Sequence, residues 1–236
     1  MVTFIIGMAG GLLIATFSSI RDLLPELFHG TWITLQVTGG GIVVAIAAAL
    51  LAALTKMYAP WPFRWLAITY IEIFRGTSTL VQLFWLFFVL PQFGIVFEPF
   101  TVGIVALGLN VGAYGAEVIR GAINAVDSGQ WEACRALNFG KIQALRRIIL
   151  PLAFVSMIPP WGNLFIELLK GTALVSMISL SDLAFKAQQL NQNTLRTVEI
   201  FTVVLVFYLV ISLLITAGVR TLEKHAGKGL SRGRVN

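Results

Sequence analysis

Three polar side chains, Asn110, Tyr114 and Glu117, interrupt a long apolar segment at intervals of four and three residues. That spacing places them on one face of an α-helix. Polar groups inside a membrane-spanning helix usually line a solute path or bind one another, because exposing them to lipid is costly. We predict a face that lines a path for a polar solute. The alternative is a hydrogen-bonded cluster between helices, in which Glu117 pairs with Arg120.

Gln82 and Trp85 share one face of another apolar segment and are candidates to contact the same solute. The alternative for Trp85 is packing in the core or against lipid. The sequence contains no Gly-rich phosphate-binding loop and no metal-binding His motif. Its one cysteine, Cys134, gives no metal-ligand spacing with either His29 or His225. We therefore expect neither an enzyme nor a resident cofactor or metal.

Two pairs of opposite charges lie three residues apart within apolar segments. Glu72 and Arg75 are predicted to form an ion pair near the cytoplasmic surface. Glu167 and Lys170 are predicted to form another near the outer end of a helix, with a gate or a docking contact as the alternative.

The segments that carry these residues belong to a very apolar chain of 236 residues, 57% hydrophobic and only 12% charged. Soluble domains carry about twice that charged fraction. Several windows are long enough, at roughly 20 residues, to cross a bilayer as helices. They lie near residues 31–55, 65–90, 100–119, 152–169 and 198–219. The predicted fold is an all-α integral membrane protein with five core transmembrane helices.

Lysine and arginine concentrate in the loops after the first and third windows and in the C-terminal tail, whereas loop 91–99 contains neither. This bias predicts a cytoplasmic C-terminus and an outside N-terminus. It also explains the net charge of +6 without nucleic acid. The predicted divisions are an apolar, interfacial N-terminal segment (1–30), a transmembrane domain (31–220) and a cytoplasmic tail (221–236). The alternative for residues 1–20 is an extra membrane span.

Two stretches are not simple spans. The sequence FRGTSTLVQ (74–82) interrupts the second window with Gly76, Thr77 and Ser78, so an alternative is that 61–74 lies along the cytoplasmic interface. Residues 171–197 contain only a short apolar run, which is typical of a re-entrant or partly buried segment.

The basic loop after the third window has a helix–turn–helix pattern. Asp127 and Ser128 are helix-capping residues, and good helix formers follow them. Asn138 tolerates the left-handed conformation that ends a helix, and Gly140 is expected to reinforce the break. A second helix is predicted from Lys141 into the fourth window.

The first of these loop helices has a distinctive surface. Ala133 and Ala136 give it a small-residue side that fits a groove, and Glu132 and Arg135 flank that side with charge. The simplest alternative is a solvated connection, although connections between helices are usually shorter.

The same loop resembles the E-A-A signature of ABC importer permeases, in which E-A-A, a glycine and I-x-L-P follow at set intervals. Here Glu132-Ala133-Cys134, Asn138 and the run ending at Pro151 keep that spacing, with Cys134 and Asn138 replacing Ala and Gly. The segment EIFRGTSTLVQ is similar to the E-x-FRGTP-x-LVQ segment of polar amino acid permeases, with Ser78 where Pro is usual. AYGAEVIRGAI and LLKGTALVSMISLSDL are also similar, so the resemblance covers about residues 31–220.

The resemblance implies the permease subunit of a binding-protein-dependent ABC importer in the bacterial inner membrane. The expected cargo is a polar amino acid or a related zwitterion such as ectoine or hydroxyectoine, moved by alternating access. The expected partners are a cytoplasmic ABC ATPase, which hydrolyses the ATP, a second permease subunit, identical or different, and an extracytoplasmic solute-binding protein. The residues expected to dock into the ATPase are Glu132, Ala133, Arg135, Ala136, Leu137, Asn138 and Gly140.

Two other functions remain open from the residues alone. A gradient-driven carrier or channel acting by itself would use Glu117 or Glu167 to carry a proton or an ion, but five spans without an inverted repeat disfavour it. A non-transporting scaffold is disfavoured by charges inside the apolar windows.

Overall fold

The structure, a computed structural model, describes residues 21–227, and this part of the chain is helical with no strand. Its α-helices are α1 (Leu24–Tyr58), α2 (Trp61–Gly76), α3 (Thr79–Phe84), α4 (Pro99–Asn124), α5 (Ser128–Ala136), α6 (Lys141–Ala144), α7 (Leu150–Gly171), α8 (Leu183–Thr194) and α9 (Thr197–Gly227). The predicted all-α class is confirmed. The predictions for residues 1–20 lie outside the described residues. The boundaries predicted for the transmembrane domain, after residues 30 and 220, lie within the helices α1 and α9.

Four helical runs are long and apolar enough to cross a membrane. They are α1, α4, α9 and the run Lys141–Ile178, which joins α6 to α7 through a π-helical turn (Leu145–Ile149) and ends in a 3₁₀ turn. A fifth span is possible only as a bent pair, in which α2 and the run Thr79–Phe93 meet at 110°. The π turn Trp85–Val89 and the 3₁₀ turn Leu90–Phe93 extend α3 to that length.

The window predicted near 65–90 is therefore not one continuous helix, because α2 ends at Gly76 and α3 begins at Thr79. The alternative that 61–74 lies along the cytoplasmic interface stays a prediction. Thr77 and Ser78 adopt extended backbone conformations between α2 and α3. Threonine and serine compete with the helix for backbone hydrogen bonds, and Gly76 adds conformational freedom. Three weak helix formers in a row allow the chain to turn there.

The centre of the fold is the close packing of α1 against α4. Glycines of α4 face α1, so the two backbones approach closely. A Cβ atom added to Gly108 would lie 2.6 Å from Val44 Cβ, and one added to Gly112 would lie 2.9 Å from Ala48 Cβ. This contact holds α4, which carries the polar face, in a fixed position.

The segment 171–197 is partly buried, which is one of the two arrangements predicted for it, and it contains the helix α8. A 3₁₀ turn (Thr172–Ile178) is followed by Ser179 in the left-handed conformation and by Asp182, which caps α8. A Cβ atom on Gly30 would lie 2.9 Å from the Asp182 carbonyl oxygen, so α1 passes directly against this turn. Lys186 of α8 also pairs with Glu26 of α1 at 2.7 Å.

Candidate functional site

Two amide side chains hold the bend between α2 and α3. Gln82 Nε2 donates to the Phe74 carbonyl at 3.0 Å and to Thr77 Oγ1 at 2.7 Å. Asn110 Nδ2, on α4, donates to the same carbonyl at 3.0 Å and to Gln82 Oε1 at 3.1 Å. Carbonyls in the last turn of a helix have no intrahelical partner. The two side-chain amides therefore donate hydrogen bonds to the Phe74 carbonyl, which the end of α2 leaves without a partner within the helix.

The tyrosines of this region also bind backbone across the bend. Tyr70 on α2 donates to the Leu109 carbonyl at 2.6 Å, and Tyr114 on α4 donates to the Arg75 carbonyl at 3.4 Å. The guanidinium carbon of Arg75 lies 5.4 Å from the centre of the Tyr114 ring. Asn110 and Tyr114 thus share one face of α4 as predicted, and that face packs on the end of α2.

Glu117, one helical turn further along α4, is part of a three-residue ion cluster. Its Oε1 accepts from Lys56 Nζ at 2.7 Å, and its Oε2 accepts from Arg120 Nε and Nη2 at 2.9 and 2.7 Å. The pairing of Glu117 with Arg120, the alternative to a path-lining role, is present in the structure. Sequence reasoning missed Lys56 because it is distant in the chain and only the packing of α1 on α4 brings it near.

Neither of the two predicted ion pairs forms within residues 21–227. Glu72 and Arg75 do not meet, since Arg75 lies over the Tyr114 ring instead. Glu167 and Lys170 are both exposed and unpaired with each other. An exposed i,i+3 ion pair contributes only about 0.2–0.5 kcal/mol, which does not fix long side chains in one geometry.

The loop helix α5 has an exposed outer surface and an anchored inner one. Every residue predicted to dock into an ATPase is exposed, whereas Cys134, between them, is buried. Trp131 packs under the helix against the cluster around Ile149. The small-residue surface expected from the sequence is therefore presented outward.

The ends of α5 follow the predicted capping chemistry with one difference. Asp127 accepts from the Gly129 amide at 2.6 Å at the start. Asn138 has φ 55°, and the Phe139 amide donates to the Cys134 carbonyl at 2.9 Å, which is typical of a left-handed helix end. Gly140 has φ −62° and precedes α6. The left-handed turn is thus made by Asn138 alone, and Gly140 is not required for it.

No group of three or more His, Cys, Asp or Glu side chains is placed to hold a metal ion between residues 21 and 227. The polar groups described above bind backbone and one another. They are suited to holding helices in position and to presenting surfaces.

The comparison with known families gives a match over residues 41–228 to the inner membrane component of binding-protein-dependent transport systems. The chain belongs to this family. It is a membrane-spanning permease subunit, and the ATP that drives such ABC transporters is hydrolysed by a separate ATPase subunit.

Curated relatives cover most of the chain. A probable amino-acid ABC transporter permease of Sinorhizobium fredii is 43% identical over 209 residues, 86% of this chain and 88% of the relative. The L-cystine transport permease of Bacillus subtilis is 35% identical, with 90% and 91% covered. The glutamine transport permease of Escherichia coli is 34% identical, with 88% and 96% covered. These relatives give the expected ectoine cargo no support.

Solved structures agree with this assignment. An amino acid ABC transporter crystallised with histidines superposes with a TM-score of 0.83 at 36% identity, covering 89% of this chain and 98% of that one. An inward-facing methionine ABC transporter gives a TM-score of 0.71 at 19% identity, covering 87% and 98%, and shows the shared fold. The helical permease fold, with four membrane spans or five if the bent pair counts as one, and the multi-pass inner-membrane location agree with these matches.

Proposed function

We propose that this permease carries amino acids across the inner membrane by alternating access, with its N-terminus outside and its C-terminus in the cytoplasm. The observation that carries the proposal is the α5 surface, in which every predicted docking residue is exposed around the buried anchor Cys134. A solvated connection would not need a helix with one fixed, outward-facing side. The basic loops beside α5 support the orientation.

A cytoplasmic ABC ATPase is the proposed partner at this surface. ATP binding would favour one of two arrangements of the complex, because the ATPase contacts α5 differently in each. The π turn Leu145–Ile149 follows the short helix α6 and leads into α7, and such turns often mark functional positions. Movement of α5 is thereby transmitted to a membrane-crossing helix.

The transport path is proposed to run beside the exposed polar groups of the spans. Asn163, Glu167 and Lys170 recur along α7 and are all exposed. Trp85 is 49% exposed beyond the bend. Charged side chains at membrane level are not stable against lipid, so this surface faces a second permease subunit, with the path between the two.

The residues predicted to line the path have two roles in this proposal. Trp85 and Tyr114 present partly exposed aromatic surface to the cargo. Gln82 and Asn110 do not contact the cargo in this proposal; their hydrogen bonds fix the bend between α2 and α3. Glu117 neutralises two cations and tethers α1 to α4 at one end of the path.

Amino acids are the proposed cargo because the relatives named above are described as amino acid, cystine and glutamine permeases. An extracytoplasmic solute-binding protein is the proposed donor, in keeping with the family. The permease itself then needs to recognise features that amino acids share.

Reconstituted transport tests this proposal. Proteoliposomes would contain the permease, its ATPase and its binding protein, and ATP-dependent uptake of labelled amino acids would be measured. The double variant Glu132→Lys/Ala133→Trp should insert normally but neither retain the ATPase nor transport. The control variant Glu98→Lys reverses an exposed charge at the N-terminal end of α4, away from α5. It should retain the ATPase and transport amino acids. Wild-type transport by the double variant would show that α5 is not the docking surface.

A further inference from the structure

An apolar groove lies between α1, α4, α7 and α9. Its inner part is a cavity of about 290 Å³ that is lined only by hydrophobic side chains. Phe154, Ile158, Trp161 and Phe165 recur every three or four residues along α7 and form one wall of this cavity. From Phe154 to Phe165 the helix rises about 17 Å, which is close to half the thickness of a bilayer's hydrocarbon core. That length suits the acyl chain of a lipid.

The groove continues into a second cavity that has a cation at its rim. Four residues line both cavities, Leu50, Ile119, Phe154 and Met157. The second cavity also includes Arg146, which lies in the π turn before α7. Among the described residues, Arg146 is the only charged residue that lines either cavity. It is exposed and forms no ion pair with a described acid.

The surroundings of Arg146 are cationic. Arg146 lines a further cavity together with Lys141 and Arg147, and both of these residues are exposed. Glu223 of α9 lines a neighbouring cavity, but two cations of the same helix accompany it there. A guanidinium donates two parallel hydrogen bonds to a phosphate, and nearby positive charge strengthens the attraction. The rim of the groove is therefore complementary to a phosphate group.

The groove lies on the side of α7 opposite to the polar surface of that helix. Asn163 follows Trp161 by two residues and Glu167 follows Phe165 by two residues, a rotation of about 200° around the helix axis in each case. The polar surface is the one proposed to face the second permease subunit. The groove is then left to face the bilayer, where an apolar surface meets lipid chains.

We infer that this groove binds an anionic phospholipid, with an acyl chain against the α7 wall and the phosphate at Arg146. Basic pockets between membrane helices bind lipid head groups in this way. A zwitterionic lipid offers the same chains, but its ammonium group opposes the charge of the rim. The inference adds a lipid site to the permease and does not depend on the proposed cargo or orientation.

Thermal unfolding of the full-length permease in mild detergent tests the inference. The probes are phosphatidylglycerol, phosphatidylcholine with the same acyl chains, and glycerol 3-phosphate, which has the charge without the chains. Phosphatidylglycerol should stabilise wild type at a concentration at least about fivefold lower than phosphatidylcholine, the effect of one basic residue near an anionic lipid. Glycerol 3-phosphate should not stabilise it at that concentration.

A matched pair of variants tests the phosphate contact. Arg146→Gln should abolish the preference for phosphatidylglycerol, and folding should persist because Arg146 is exposed. Arg64→Gln makes the same change at an exposed arginine of α2 that lines neither cavity, so it should keep the preference.

A second matched pair tests the chain contact. Leu50→Trp narrows the groove where the two cavities meet and should weaken binding of both lipids by about tenfold, the effect of displacing two chain methylenes. Leu51→Trp changes the next exposed leucine of α1, which lines neither cavity, and should match wild type.

Three results would overturn the inference. One is equal stabilisation of wild type by the two lipids, and another is an unchanged preference in Arg146→Gln. The third is stabilisation by glycerol 3-phosphate equal to that by phosphatidylglycerol, which would indicate a phosphate site without a chain site. Light scattering examines the other possible occupant of the groove. A dimer that Leu50→Trp dissociates, with lipid binding unchanged, would show that a second permease subunit covers the groove instead.

Discussion

At the scale of single residues, the polar side chains of the spans act mainly on backbone. Asn110 and Gln82 bind a carbonyl that the broken helix leaves free, and Glu117 satisfies two cations. The spacing of Asn110, Tyr114 and Glu117 indicated a shared face correctly. It did not indicate what that face contacts, because most of the partners come from α1, α2 and α3.

We expect Asn110→Leu to destabilise the bend. The change removes both donated hydrogen bonds and leaves Gln82 Oε1 without this donor in a partly buried site. The expected loss is about 1–3 kcal/mol, typical of an unsatisfied buried polar group. Thermal unfolding in detergent measures it, with Asn163→Leu, at an exposed position of α7, as the matched control. Equal melting temperatures for the two variants would contradict this role.

Asp182 predicts a pH dependence of stability. It lies in the linker between the 3₁₀ turn and α8, outside the membrane-spanning segments, and is fully buried, with its Oδ2 unpaired among the described residues. Burial raises the pKa of Asp182 to about 6. Because the folded chain then holds the proton more tightly than the unfolded chain, stability falls as the pH rises from about 4 through 6.

The variant Asp182→Asn should remove that dependence, since asparagine keeps the helix cap without the charge. Its melting temperature should exceed that of wild type at pH 7.5 and approach it near pH 4. The difference corresponds to at most about 3 kcal/mol. Parallel pH profiles for the two proteins would show that Asp182 does not titrate in this range.

At the scale of elements, the contact between α1 and α4 depends on glycine. A methyl group at Gly112 would lie 2.9 Å from Ala48 Cβ and 3.0 Å from the Tyr70 hydroxyl, whereas a methyl group at Gly121, on the same helix, would meet nothing within 4 Å. Local glycine content reveals a potential for close packing. Which glycines face a neighbour is decided only when the helices pack.

Two alanine substitutions in α4 test this difference. Gly112→Ala should destabilise the protein by about 1–3 kcal/mol through overpacking. Gly121→Ala should stabilise it by up to about 1 kcal/mol, because alanine is the better helix former and has room. Thermal unfolding of both variants measures the effects, and a stabilised Gly112→Ala would show that the helices separate easily there.

At the scale of the whole molecule, some exposed surface carries polar groups at membrane level and some is purely apolar. The α7 residues Asn163, Glu167 and Lys170 form the polar surface, whereas Leu205 of α9 is 64% exposed among apolar neighbours. A protein in a bilayer turns an apolar surface such as that of α9 towards lipid. The polar α7 surface is expected to face a water-filled path or a partner chain.

Labelling with a water-soluble maleimide should distinguish these surfaces. The only native cysteine, Cys134, is replaced by serine, and Asn163→Cys or Leu205→Cys is introduced. The cysteine at 163 should react in membranes containing the assembled transporter, and the one at 205 should not. Equal protection of both sites would mean that the α7 surface is closed off from water in the assembly.

Composition, charge bias and local spacing determined the helical membrane class, most of the spans and the α5 helix with its Asn138 turn, whereas the family was indicated by the resemblance of the E-A-A and FRGT motifs. These features depend on neighbours in the chain, such as helix capping and the length of an apolar run. The 110° bend, the Lys56–Glu117 contact and the position of Arg75 over Tyr114 were decided only by the tertiary structure. The physical reason is that weak i,i+3 ion pairs yield to contacts between distant segments, which form only after helices pack.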